Sequence, residues 1–281
     1  MNITNLALAT DLVVAALDAE THEGGDHLAV ATPSNPDFYW GNFLVLAAPP
    51  APASLADWCA RASAAFPASS HVALAWDGDD DDGGAATVAA LVAAGFTIDR
   101  TLALVAAPQL VATSDAVRGR VGGLTPASFR PLVGDADWAK LAELGFAVED
   151  GGEAYRRFVH RRLAARRRAC DAGAARWWGG FVGDELVTSA GIVRSGRRAR
   201  YQDVQTAIGH RRRRLASALL AEMAAAEAAA GCDQLVICVD VNNAAASAAY
   251  QQLGFVPGPV LVAACRAPAA SGPQPRVEVA A

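Results

Sequence analysis

Long apolar runs are missing from this chain. Although 53% of its 281 residues are hydrophobic, no stretch reaches the ~18 uncharged apolar residues that a membrane-spanning helix needs. The N-terminus also lacks a basic segment followed by an apolar core. These absences predict a soluble, cytoplasmic protein that is not exported and has no membrane partner. Cysteine is sparse: Cys59, Cys170, Cys232, Cys238 and Cys265 are odd in number and without metal-ligand spacing. They exclude a disulfide framework and a metal centre, and read as buried or incidental thiols in a reducing cytosol. Aromatics are scarce where positive charge is dense. Arg156–Arg168 and Arg194–Arg214 hold many of the 24 Lys and Arg, yet almost no aromatics interleave with them. A nucleic-acid surface would require that interleaving, and the net charge of −5 makes the whole protein no polyanion binder. No Ser/His/Asp set is present, and Asp79–Asp82 lacks the alternating spacing of a calcium loop, so it reads as a solvated loop.

What is present is an α/β pattern in two halves, in keeping with a length suited to one large or two modest domains. In the first half the expected elements are strands at Asn42–Ala47, His71–Trp76 and Thr101–Ala106. Helices are expected at Ser54–Ala65 and Thr87–Ala94, the latter stopped by Gly95-Phe96. Pro33–Asn42 combines turn formers with three aromatics and reads as a segment that packs the domain interface, the alternative being a cover for the substrate cleft of the other half. A Gly- and Pro-bearing joint, Arg118–Pro126, follows. In the second half the expected strands are Phe129–Leu132, Trp177–Val182, Leu186–Arg194, Tyr201–Ala207, Gln234–Asp240 and Val260–Cys265. Helices are expected at Asp135–Leu144, Glu153–Asp171 and Leu215–Ala230, with a short one carrying Asn243 and Tyr250.

The densest signal is the pair VQTAIGHRRRRLA (204–216) and NAAASAAYQQLGF (243–255), about thirty residues apart with a helix and an apolar strand between them. A strand running into an arginine-dense turn that opens a long helix gathers backbone N–H groups at a positive dipole end, a ready site for a diphosphate. This segment resembles the acyl-CoA site of the GCN5-related N-acetyltransferase (GNAT) family. The family's loop reads (Gln/Arg)-x-x-Gly-x-(Gly/Ala). Here Arg211, Leu215 and Ala216 fit it, with Arg212 and Arg213 between, but Arg214 stands where Gly is favoured for close backbone approach. Arg214 can still serve if its φ is helical, and its guanidinium could add a charged contact to phosphate. Asn-x-x-Ala-x-x-x-Tyr-x-x-x-Gly-Phe is matched by Asn243, Ala246, Tyr250, Gly254 and Phe255.

The resemblance implies a GNAT fold over residues 127–266, a mixed sheet flanked by helices. Residues 1–115, which repeat the strand-helix-strand-helix-GlyPhe-strand order without a basic loop, are read as a degenerate GNAT-like domain. A linker at 116–126 and a disordered tail at 267–281 complete the expected organisation. It further implies acetyl-CoA as co-substrate, with no metal, contacted by Val204, Gln205 and Thr206, by Arg211–Ala216, and by Asn243 and Tyr250. Tyr250 would protonate the departing thiolate, as a phenol of ordinary pKa can at neutral pH. Many relatives carry a basic Glu where Gln205 stands. Asp203, on the same strand face by alternation, and Asp240 are the alternative bases. The implied reaction is direct acetyl transfer, in a ternary complex, to a primary amine of a small molecule or peptide, by a monomer or homodimer. The alternative is a catalytically impaired relative that binds acyl-CoA or a partner. Plainer roles exist for single residues: Asn243 as a helix N-cap and Tyr250 as a core aromatic.

Overall fold

The computed structural model describes residues 1–78, 84–115, 127–148 and 152–267. The expected linker at 116–126, the Asp79–Asp82 run and all of the tail after Ala267 lie outside the described residues. The chain divides into two compact units, one of Met1–Ala103 with the strand from Gly258, the other from Leu104 to Pro257.

The first unit contains α1 (Leu6–Ala15), β1 (Glu20–Glu23), β2 (His27–Ala31), β3 (Phe43–Leu46), α2 (Leu55–Ala65), β4 (Val72–Trp76), α3 (Gly84–Ala93) and β5 (Thr97–Ala106, whose end enters the second unit). Strands β1, β2 and β3 pair antiparallel, and β3 pairs parallel with β4. β3 and β4 are buried at every residue, and such unbroken apolar runs suit a strand covered on both faces. The Pro33–Asn42 segment packs within this unit. Buried Asn42 accepts the Thr32 N–H (2.9 Å) and donates to the carbonyls of Asn35 and Phe38 (3.0 and 2.9 Å).

The second unit contains α4 (Pro108–Ala112), β6 (Ala127–Pro131), α5 (Gly134–Val148), α6 (Gly152–Asp171), β7 (Ala175–Val182), β8 (Glu185–Ser195), β9 (Arg198–Thr206), α7 (Leu215–Ala229), β10 (Gln234–Asp240) and α8 (Ala244–Gln252). Its strands lie in the order β10-β9-β8-β7-β6. All pairs are antiparallel except β9 with β10, the crossover that α7 makes. Helices cover both faces. Tyr201 faces α7, where its hydroxyl donates to the Leu220 carbonyl (2.8 Å), whereas Trp177 faces α5 and α6, its ring 6.4 Å from that of Trp138. Gly191 lies opposite Trp177, and a Cβ there would fall 2.3 Å from the indole. Only glycine admits that ring.

β11 (Val256–Arg266) departs from its expected place. The sequence pattern makes it the last strand of the second half, yet it pairs antiparallel with β4, from Ala263↔Ala75 to Arg266↔Val72. Its Val262 and Ala264 join the first unit's core with Leu44, Leu74, Trp76 and Phe96. Alternation in a strand fixes which side chains share a face but not which edge the strand joins. The sequence reading also passes over α1, β1, β2 and α4. β1 is fully exposed and polar, and α1 is too uniformly apolar to show helical periodicity.

Among the described residues no helix is long and apolar enough to cross a membrane, and no group of three or more His, Cys, Asp or Glu is placed to hold a metal ion. All five cysteines are free.

Candidate active site

The site is built where β9 and β10 part. Their parallel pairing covers only Arg198↔Gln234, Ala199↔Leu235 and Arg200↔Val236. From Tyr201 and Ile237 onward each strand continues without the other, and a slot opens between their C-terminal halves. The slot is lined by backbone that has no ladder partner, and such groups call for hydrogen bonds from something else.

Which groups face the slot is set by the β8–β9 register. The Ala207 N–H donates to the Val187 carbonyl (2.8 Å), and the register continues Thr188↔Thr206 and Ser189↔Gln205. Bonded and non-bonded pairs alternate in an antiparallel ladder, so Gln205 bonds to β8 and the Thr206 N–H turns toward the slot. The hydroxyls of Thr188 and Thr206, 3.0 Å apart, fit the closer spacing of a non-bonded pair. Between Ser189 and Gly191 the register shifts, because Asp203 and Val204 both stand opposite Ala190. Asp203 adopts φ +50° at this bulge.

At the end of β9 the chain makes a short 3-10 turn (Ile208–His210) and then the arginine loop. The Arg211 Nε donates back to the Thr206 carbonyl (3.2 Å), tying loop to strand. Arg212 and Arg214 both have φ +60°. The condition of a helical φ at Arg214 is not met: the residue is the left-handed N-cap of α7, with ψ 18° and no side chain capping the helix. This is the conformation for which glycine is favoured, and it costs a side-chain-bearing residue roughly 1 kcal/mol. The first-turn N–H groups of α7, from Leu215, Ala216 and Ser217, lack intrahelical partners by helix geometry. They sit behind three exposed arginines, Arg212–Arg214.

On the opposite lip, the Asp240 carboxylate accepts the Asn242 N–H (2.7 Å), and Asn243 caps α8 by accepting the Ala246 N–H (3.1 Å). Its plainer role is thus realised. Tyr250 is buried on the last turn of α8, its ring edge-on to Phe255 (6.3 Å), which meets Tyr201 in the same way.

The bases fare differently. The Gln205 side chain donates to the Ser189 hydroxyl (3.0 Å) and has no basic lone pair. The buried Asp203 carboxylate is ion-paired with Arg162 (3.2 Å) and Arg166. Sequence reasoning misses Arg162 and Arg166. The available signal is their i, i+4 spacing on the face of α6 that also buries Phe158 and Ala169. Two cations at inward positions demand a counter-charge.

A parallel strand pair thus parts beside a basic helix N-terminus that no side chain caps, and comparison with known proteins places this arrangement in a family fold. Residues 141–255 match the acetyltransferase (GNAT) family, and this stretch of the chain is a GNAT domain. Among solved structures, a functionally unknown conserved protein from Staphylococcus epidermidis superposes with TM-score 0.73 at 12% identity, over 89% of this chain and 94% of its own. A GCN5-related N-acetyltransferase from Kribbella flavida gives 0.58 at 16% identity, over 94% and 96%. A tandem GNAT protein from the clavulanic acid biosynthesis pathway gives 0.56 at 12% identity, over 88% and 83%. At such identities the likeness is one of fold, and it extends along most of the chain. No curated protein matches.

Proposed function

We propose that the chain is an N-acetyltransferase that moves the acetyl group of acetyl-CoA directly to a primary amine of a small molecule or peptide. The observation that supports this most is the parting of β9 and β10 after Arg200 and Val236, beside an uncapped α7. The residues present fit the co-substrate. The first-turn N–H groups of α7, with Arg211–Arg214, would take the diphosphate. The slot-facing backbone of Val204–Thr206 would take the pantetheine arm and thioester. The Thr206 N–H points into the slot as a donor for a developing oxyanion. Tyr250 would donate its phenolic proton to the leaving sulfur.

With Asp203 held by two arginines, Asp240 turned to the Asn242 N–H and Gln205 unable to accept a proton, the amine enters neutral. Its own ionisation then sets the pH dependence: the rate rises about tenfold per pH unit below the amine's pKa and levels above it. The test is a panel of primary amines incubated with acetyl-CoA, reading thiol release and acetylated product across pH. An acetylated amine with this profile supports the reading. A rising limb whose pKa stays the same from one amine to the next would show a base on the enzyme.

Two strained arginines in the diphosphate loop favour a second reading, a catalytically impaired acyl-CoA-binding protein. It predicts tight acetyl-CoA binding with no turnover on any amine.

A further inference from the structure

Asp203 has φ +50° and is 7% exposed, an unusual backbone for a strand, where φ near −140° is ordinary. Asp tolerates the left-handed region better than most residues, but something must hold it there. Its carboxylate receives the guanidinium groups of Arg162 and Arg166 from α6. Arg166 stacks over Trp177, 5.1 Å from the ring centroid, and Arg162 lies 5.9 Å from that of Phe158. Both arginines are only 13% exposed. Burial, then the neighbouring Arg162, press the pKa of Arg166 down to about 9. Two cations therefore converge on the Asp203 carboxylate in a dry setting, and they hold it pointing toward α6.

The bulge that Asp203 makes governs the phase of the remainder of β9. One extra residue opposite Ala190 reverses which N–H groups of β9 face β8 and which face the slot. Without the bulge the strand would slip by one, and the Gln205 N–H would enter the slot while the Thr206 N–H turned to β8. We propose that Arg162 and Arg166 are positioning residues that lock the Asp203 bulge from α6, so that β9 presents the Thr206 N–H to the thioester carbonyl. This rests on the acyl-CoA reading of the site. It makes α6, a helix outside the diphosphate loop, a determinant of thioester polarisation.

The test binds acetyl-CoA labelled with carbon-13 at the carbonyl to the full chain and reads the thioester stretch by isotope-edited infrared spectroscopy. Calorimetric titration with CoA runs in parallel. In the wild type the band should lie below its position in solution. In Asp203→Asn, which keeps a residue tolerant of positive φ, and in Arg162→Gln, the band should move back toward the solution value. CoA affinity should fall by less than about tenfold, since the slipped strand alters pantetheine contacts while the diphosphate site is untouched. Should Asp203→Asn not fold, Arg162→Gln carries the test alone. A band unmoved in variants that bind, or affinities for CoA and acetyl-CoA that fall together without a band shift, would make the cluster a scaffold only and overturn the inference. A wild-type band at the solution position would overturn it too. Failure of the wild type to bind acetyl-CoA would instead overturn the acyl-CoA reading itself.

Discussion

The two units run the same strand-helix-strand order to different ends. In the second, β9 and β10 separate after three paired residues. In the first, β3 and β4 stay paired through Leu46↔Trp76, and the Asp77 N–H extends the ladder to the Leu46 carbonyl (2.9 Å). The end of that pair is then closed by α1. The Asp77 carboxylate accepts the N–H groups of Thr4 (2.8 Å) and Asn5 (2.7 Å) at the start of the helix. The loops differ as sharply: Arg211–Arg214 in one, Pro49-Pro50-Ala51-Pro52 in the other. In the first unit the strand ends bond to protein, whereas in the second the ends of β9 and β10 run on without pairing to each other among the described residues.

Point substitutions can probe this contrast from either side. The largest expected effect is on turnover. Tyr250→Phe keeps the ring against Phe255 and removes the hydroxyl, so the acetyl transfer rate should fall about 10²-fold, the low end for a general acid. Acetyl-CoA affinity should hold. Steady-state kinetics on an acceptor found by the amine panel, with circular dichroism to verify folding, decides it; an unchanged rate returns Tyr250 to the core. Next is stability in the first unit. Asp77→Ala leaves the N–H groups of Thr4 and Asn5 without their acceptor and should cost roughly 1–3 kcal/mol, measured by chemical denaturation, with no change in acetyl-CoA affinity.

Arg211→Ala should weaken acetyl-CoA by about tenfold, or ~1.4 kcal/mol, since it loses both a cation and the tie to the Thr206 carbonyl. The smallest effect is at Arg214. Arg214→Gly relieves the left-handed strain, should stabilise the fold by roughly 1 kcal/mol, and should keep or improve affinity. A tenfold loss on calorimetry would instead make Arg214 a phosphate ligand.

A pH effect separates the units as well. Burial holds the imidazole of His71 below its ordinary pKa, while its Nε2 bonds to the Asn42 carbonyl (3.0 Å). As pH falls below about 6.5 the unfolded chain takes up this proton and the folded chain does not. Stability is therefore lost on acidification, at up to ~1.4 kcal/mol per pH unit. His71→Gln should flatten that slope in denaturation measured from pH 7 to 5.

Much of this is legible in the sequence because it rests on local pattern. The apolar run Gln234–Asp240 is a strand with those bounds, and the long helix begins at Leu215 as expected. Arg211–Arg214 fall at the head of that helix for the same reason. What is not legible depends on partners distant in the chain. The phase of β9 is set by a bulge held from α6, 41 residues earlier. The left-handed φ of Arg214 breaks the local preference of an arginine, and the edge joined by β11 is chosen by packing against Leu74 and Trp76. Local conflicts of this kind concentrate where a site is built.

The central claim is that one unit binds acetyl-CoA and the other does not. The direct measurement is hydrogen–deuterium exchange of the full chain with and without saturating acetyl-CoA, joined to a calorimetric stoichiometry. The account predicts one molecule per chain, with new protection at 204–218 and none at 47–55 or Asp77. Two molecules per chain, or protection appearing at 47–55, would contradict it.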